Sequence, residues 1–364
     1  MKYLFSFLLL MVIQDTFSRT ESSAEKRLTR SFKVERKVSL EVTNKYGNVI
    51  VHSWQKASIR IDLRVKGFGK DQEASEKLLN RVDFDFNQAG EFVVAETVLD
   101  RSKGFFRDLW NDLNDFSKGM LGKHKLIIEY EIYAPESANI SIINKFGDVY
   151  LDNFKGDIRV ELANGELKTD EILGHLKLDR SFGRATINKA KNGRLNLRSA
   201  DVELENADDL DIKSSSSTLF ISRLDLLSIT SRNDKLQIDS IHTLRGESSF
   251  SKINIKKLTY TVFVDMNYGE LNVTSINHEF RDIELIGKST DFNLVFAKNS
   301  LIDIDLVGKD ENMTLEYGDY EKQPYESDDK LTKVSGRMGQ GQSKNGIVNI
   351  HADGGRLILQ YARK

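Results

Sequence analysis

The stretch Asn44–Trp54, NKYGNVIVHSW, returns one hundred residues later as Asn144–Phe154, NKFGDVYLDNF, with the same succession of amide, aromatic, glycine and alternating strand. Weaker copies follow: GDVYL at 147, GELKT at 165, GRATI at 183, ADVEL at 200, STLFI at 217, DKLQI at 234, SKINI at 251 and GELNV at 269. Their third residues, Val149, Leu167, Ala185, Val202, Leu219, Leu236, Ile253 and Leu271, stand 17 or 18 positions apart. A second apolar column lies between them, in IRVEL from Ile158, LKLD from Leu176, LNLRS from Leu195, LDIKS from Leu210, LSITS from Leu227 and YTVFV from Tyr260. Each unit is therefore two short strands and two turns.

A unit this short carries too few inward side chains to bury a core alone, so it must stack on its neighbours. The pattern predicts an all-β chain folded as a parallel β-solenoid, expected to be right-handed, with coils of about 17 to 21 residues and helical insertions near the N-terminus. Equivalent positions then lie about 4.8 Å apart, like above like. The column Gly147, Gly165, Gly183, Ala200, Ser217, Asp234, Ser251 and Gly269 is small or turn-prone, as a corner with positive φ or close backbone approach requires. One place earlier stand Phe146, Asn164, Phe182, Ser199, Ser216, Asn233, Phe250 and Tyr268. Two readings compete for these aromatics: stacking at a coil corner, or an exposed stripe that grips sugar rings.

Length and composition agree with a repeat architecture. The 364 residues exceed the usual size of one compact core. A net charge of −2 from 53 basic and 55 acidic residues leaves no surplus to hold a nucleic-acid backbone. The opening MKYLFSFLLLMVIQDTFS sets one Lys before an apolar run from Tyr3 to Ile13 and small residues at Thr16 and Ser18, which reads as a secretory signal peptide. A membrane anchor is the competing reading, yet a helix crossing needs roughly 20 apolar residues. With no Cys in the chain, disulfides and an N-terminal lipidated cysteine are both excluded.

The organisation expected is a signal peptide over 1–18, an N-terminal region over 19–135, regular coils over 136–320, and a polar loop with closing strands over 321–364. In the N-terminal region, strands are expected around Phe32 to Val42, Val49 to Trp54, Ile59 to Val65, Phe92 to Val98 and Leu126 to Tyr133. DQEASEKLLNRV places Ala74, Leu78 and Val82 on one helical face. After Ser275 the period stretches, putting Phe292 and Met313 each 21 residues beyond the previous mark. The segment Glu321 to Asn345 reads as a surface loop, and GIVNIHADGG and RLILQYARK as last strands that pair with the final coils and hide an open edge.

Between two of those N-terminal strands, Phe105, Leu109, Leu113, Phe116 and Met120 recur at helical spacing, with Phe106 and Trp110 beside the stripe. This predicts an amphipathic helix. It is read either as a cap on the solenoid or as a contact with a membrane or partner surface through Phe105, Phe106, Leu109, Trp110, Leu113 and Phe116. Lys103, Arg107, Lys118 and Lys123 favour a lipid surface, and Asp108, Asp112 and Asp115 oppose it.

The NKYG and NKFG phrases, the signal-like start, the Trp-containing insertion and the passage LIIEYEIYAPESANISIINKFGDVYL resemble a family of exported bacterial adhesin-like repeat proteins. That family is known as a domain of unknown function or auto-transporter adhesin, and the resemblance, over roughly Val38 to Leu315, implies a β-solenoid. The middle coils depart from it, carrying Ser-Ser, Asn-Asp or Phe-Ser where the family pattern has Tyr-Gly.

Chemistry is sparse. A β-helix enzyme needs acids clustered on one face. Asp208 and Asp209, and Asp328 and Asp329, are sequence neighbours that point to opposite faces of a strand, while Asp303 and Asp305 share a face. His52, His124, His175, His242, His278 and His351 form no metal-ligand motif, and Ser214 to Ser217 lack a nucleophile elbow. Calcium at Asp- and Asn-rich corners is chemically reasonable, although the loop that usually binds it is absent. No cofactor or metal is expected.

The resulting expectation is an exported, non-enzymatic, adhesin-like scaffold or binding module of a Gram-negative cell envelope or surface. Its partner would be an envelope protein, a surface protein or a glycan, with peripheral membrane contact as a further option. A carbohydrate-active enzyme, either a polysaccharide lyase or a hydrolase, and a membrane-contacting periplasmic factor are the rival readings.

Overall fold

The computed structural model describes residues 22–35, 37–99, 126–298, 300–325, 328–340 and 344–363. The signal-like start and the 105–121 stripe lie outside them. The chain is almost all β; among the described residues the helical elements are one α-helix, Gln72–Leu79, and a short 3₁₀ turn, Asp310–Asn312. The sheet is open rather than closed and is mixed, so the expectation of uniformly parallel strands is corrected below.

The two copies of the opening phrase are neighbours in space. Strand Ser39–Tyr46 runs parallel to Asn139–Phe146 with Leu40 opposite Ile140, Val42 opposite Ile142, Asn44 opposite Asn144 and Tyr46 opposite Phe146. Past the corner, Val49 and Val51 lie opposite Val149 and Leu151. The same strands pair on their other side with Phe92–Leu99 and Leu126–Pro135, which come later in the chain. The first phrase is thus inserted between two rungs that follow it in sequence, and the repetition exists because adjacent rungs need matching side chains.

From Asn139 onward the ladder is regular. Val149 lies opposite Leu167, and Val202, Leu219, Leu236, Ile253, Leu271 and Phe292 follow one another in parallel register. All are at most 1% exposed. The second column runs Leu210, Leu227, Leu244, Val262 and Ile283 in the same way. Each such side chain contributes about 1.5–3 kcal/mol by leaving water.

The C-terminal end corrects two expectations. Met313 does not sit on Phe292: Leu357 of strand Leu357–Tyr361 lies between them, opposite both. Likewise Lys344–Asp353 enters between Asp282–Lys288 and Leu301–Gly308, with Val348 opposite both Ile283 and Ile304. The closing strands therefore pair with the final coils by separating them. The polar stretch expected as a loop is an antiparallel hairpin, Gly318–Tyr325 with Asp328–Met338, whose second strand pairs antiparallel with Leu301–Gly308. Leu331, Val334 and Met338 anchor it in the core. Their spacing of three and four hid the strand period, while Lys322 and Pro324 suit its outer strand, where an unpaired edge must be blunted.

The chain divides into two units. The smaller, as far as it is described, comprises residues 22–26, 65–82 and 126–127. Its helix starts at Asp71, whose carboxylate accepts from the Ala74 amide at 2.8 Å, a capping bond that satisfies one orphan donor. Ser75 and Leu79 are its buried residues, one step round from the expected face of Ala74, Leu78 and Val82, because the Ser75 hydroxyl donates to the Ser22 carbonyl at 2.8 Å. Val82 instead begins a strand, Val82–Ala89, that the sequence reading did not anticipate.

Two tests address the ladder. Gly147 has φ +132°, and a Cβ there would run into the Gly47 carbonyl. Gly147→Ala is expected to cost about 2–4 kcal/mol in urea unfolding, whereas Gly90→Ala, with φ +60° but open space around the added Cβ, costs only the left-handed strain of about 1–2 kcal/mol. At the closing strand, the Asp291 carboxylate accepts from the Arg356 amide at 2.8 Å and from its guanidinium at 2.6 and 3.0 Å, which holds the Asp291 pKa below its ordinary value. A depressed acid adds stability that is complete above about pH 4 and is lost as pH falls through the folded-state value. Melting temperature followed against pH is expected to lose part of its acid limb in Asp291→Asn.

Candidate binding surface

The corner column comes in two forms. At Gly47, Gly147 and Gly165 the chain turns through glycines with φ of +120°, +132° and +117°. Asn44 and Asn144 support this form from inside: Asn44 donates to the Gly47 and Ile128 carbonyls, and Asn144 to those of Gly47 and Gly147, all at 3.0–3.1 Å. From Phe182 the left-handed residue moves one place earlier, to Phe182, Ser199, Ser216, Asn233, Phe250 and Tyr268, with φ between +50° and +62°. Of the two readings of the small column, positive φ does not extend to Ala200, Ser217, Asp234 and Ser251. The switch coincides with the fall in spacing from 18 residues, Leu167 to Ala185, to 17, Ala185 to Val202.

Turning one residue earlier aims the next side chain inward. Asp234 is 2% exposed, and its carboxylate accepts from the hydroxyls of Ser214 and Ser231 at 2.6 and 2.7 Å and from the Ser217 amide at 2.7 Å. Ser217 and Ser251 accept from the amides of Ala200 and Asp234 in the same fashion. This inner polar seam pairs most of its own groups, leaving the buried Ser248 hydroxyl without a partner, and has a structural role. The cost falls on the left-handed residues, about 1–2 kcal/mol each without a glycine. Asn233 donates to the Ser216 hydroxyl on the preceding rung at 3.3 Å, an offset of a kind that Phe182 and Phe250 cannot provide.

Arg180 is the exception in the interior. It is opposite Leu162 and one step of 17 before Leu197, yet it is 2% exposed. One terminal nitrogen donates to the Gly165 carbonyl, while Nε and Nη1 have no hydrogen-bond partner. Burial pushes its pKa down to about 10, against the pull of Asp148 and Glu166, so it is charged at neutral pH and poorly solvated. The sequence signal was present: DRS sets a cation at an inward position of an alternating strand.

Outward, a groove of about 550 Å³ crosses successive rungs from Asn144 to Thr230. Ala163 and Ser181 form its low floor, bordered by Lys145, Glu161, Asp179, Arg198 and Lys213. Both bordering carboxylates are paired locally, Glu161 with Arg159 and Asp179 with Lys177 at 3.9 Å. Along the ridge beside the groove, Phe182 and Phe250 are each 55% exposed and Tyr268 is 50% exposed. The rings of Phe250 and Tyr268 stack at 5.2 Å, 7° from parallel, and Tyr46 stacks on Phe146 at 5.7 Å. The stacking reading holds for these two pairs, but the later pair also remains open to solvent.

The acid pairs singled out from the sequence lie on three different strands. Phe105, Phe106, Leu109, Trp110, Leu113 and Phe116 lie outside the described residues. Asp208 and Asp209 are exposed, and Asp209 faces Leu226 across the ladder rather than another acid. Asp305 pairs with Lys333 at 3.1 Å. Asp328 and Asp329 are consecutive residues of the hairpin. One histidine gained a setting that the sequence did not show: His52 is 3.2 Å from Asp152 and 3.6 Å from Glu131, because stacking brings together residues one hundred positions apart. Among the described residues no group of three or more His, Cys, Asp or Glu could hold a metal ion, and no helix is long and apolar enough to cross a membrane.

No protein-family model matches the chain, and no curated protein matches it in sequence. Among solved structures it is similar to a candidate cell adhesion protein from Clostridium sporogenes ATCC 15579, 11% identical over 93% of this chain and 100% of that one, with a TM-score of 0.31. A candidate adhesin from Bacteroides fragilis NCTC 9343 is 14% identical over 74% and 97% of the two chains, with a TM-score of 0.25. A candidate lipid-binding protein from Parabacteroides distasonis ATCC 8503 is 9% identical over 93% and 97%, with a TM-score of 0.26. Scores this low fix neither fold nor function.

The Arg180 site yields a test. Replacing a buried, incompletely bonded cation by the residue found on both flanking rungs removes a desolvation cost. Arg180→Leu is expected to raise unfolding free energy by about 1–3 kcal/mol, measured by chemical denaturation; a loss would show that the guanidinium stabilises the corner.

Proposed function

We propose that the ladder is the wall of a parallel β-solenoid and that the chain is an exported, adhesin-like, non-enzymatic binding module of the cell envelope or surface. The in-register parallel steps of 17, 18 and 21 residues support the solenoid reading. The observation that carries the binding reading is the polar groove over the rungs from Asn144 to Thr230. A groove repeated rung by rung suits an extended ligand, because each step offers another set of hydrogen-bonding and charged groups at a fixed interval. The dispersal of the acid pairs favours binding over hydrolysis or elimination, which need converging carboxylates. The resemblance of the NKYG and NKFG phrases to adhesin-like repeat proteins supports export and a surface role.

Arrays of glycans and of envelope proteins, probed with the full chain, test this. At least one class of extended ligand is expected to bind, and Ala163→Trp, which fills the groove floor, is expected to weaken it tenfold or more with the melting temperature unchanged. Absence of any ligand on both arrays, or equal binding by the filled variant, would remove the groove from the function.

A further inference from the structure

The corner ridge states more than the groove does. Between Phe182 and Phe250 lie four steps of 17 residues, about 19 Å at the usual rung spacing. The intervening ridge positions are Ser199, Ser216 and Asn233, all exposed and all left-handed. They show that a small hydroxyl or amide suffices at this corner. Phe182 and Phe250 take the same strained conformation without local hydrogen-bonding ability and remain 55% exposed. Folding gains little from them there, and strain retained at an exposed position points to a ligand. Phe182 has no ring neighbour among the described residues, and Phe250 is held flat by Tyr268 on the following rung.

Charge gives the second, independent observation. Arg198, Lys213 and Arg232 stand beside these ridge positions in the chain, all exposed, and none has an ion-pair partner among the described residues. Ser215 faces Arg232 across one step, and Arg198 is one step of 17 before Ser215, so the two guanidiniums share a column two rungs apart. The carboxylates nearest in the adjoining outward column are accounted for in part: Asp179 accepts from Asn196 at 2.6 Å, and Glu247 lies beyond Thr230 on the far side of Lys213.

We infer that the ridge segment from Phe182 to Tyr268 is a binding site for an acidic polysaccharide. Sugar rings have an apolar face for the aromatic rings, hydroxyl edges for Ser199, Ser216 and Asn233, and carboxylates or sulfates for Arg198, Lys213 and Arg232. An acidic peptide would use the cations but has no ring face, and a neutral glycan leaves the cations idle. This inference rests on the binding-module reading and names its ligand class.

Titration calorimetry of the full chain with hexagalacturonate, a sulfated heparin hexasaccharide, neutral cellohexaose and hexaglutamate tests it. Binding is expected for at least one acidic sugar, the two arms separating carboxylate from sulfate, and to be at least tenfold tighter than for cellohexaose or hexaglutamate. Arg198→Ser with Arg232→Ser, and separately Phe182→Ser with Phe250→Ser, are each expected to weaken it tenfold or more. Serine already occupies this ridge in the same conformation, so the aromatic variants should fold, with melting temperatures at or above that of the parent. If the aromatic variants bind like the parent, the cations act as a simple ion exchanger and the inference fails. It fails equally if hexaglutamate binds as well as the sugars, or if neither acidic sugar binds. In those cases a ligand still displaced by Ala163→Trp would leave the broader binding reading standing.

Discussion

Parallel backbone pairing at a fixed offset is the constraint from which the rest of this structure follows. Because each residue lies over its equivalent on the next rung, one choice of side chain is repeated or complemented at every step. Val202, Leu219, Leu236, Ile253, Leu271 and Phe292 fill the interior in this way. Offset in sequence is immaterial to the ladder: a step of 17 and a step of one hundred produce the same contacts, as Asn44 over Asn144 demonstrates.

A stacked ladder creates open edges, and both ends of this one show interleaving. At one end the first phrase lies between strands that follow it, and at the other the last two strands lie between strands that precede them. Interleaving makes a terminal rung depend on chain segments far apart, which raises the loop-closure cost of forming it but also ties the end down. The antiparallel hairpin Gly318–Tyr325 with Asp328–Met338 then replaces a flat parallel edge with a polar, proline-bearing strand.

The corners show how one geometric demand is met by different chemistry. Glycine meets it directly at Gly47, Gly147 and Gly165, supported by the amides of Asn44 and Asn144. In the 17-residue steps a left-handed residue turns the chain earlier, and the position after it becomes an inner hydroxyl and carboxylate seam centred on Asp234. Arg180 sits where one scheme gives way to the other, and its unpartnered nitrogens mark the mismatch. The outward consequence is a ridge whose side chains are released from packing, which makes Phe182 and Phe250 available for contact.

Much of the ladder was legible in the chain before its fold was known: the periodic apolar columns, the small corner column and the closing strands follow from patterns of period two or of 17 to 18 residues, and the helix after Asp71 from apolar residues four apart. These are local or translational regularities, and a linear sequence records them. The candidate site was legible only in outline, since the aromatic column could be read as packing or as contact with equal ease. The tertiary structure alone decided which residue of each corner turns left-handed, which rungs interleave, that the polar stretch after Glu321 is a hairpin, and that the later aromatics are exposed. Each of those depends on which segments meet in space and on which side of the wall a side chain emerges, and neither quantity is carried by spacing along the chain.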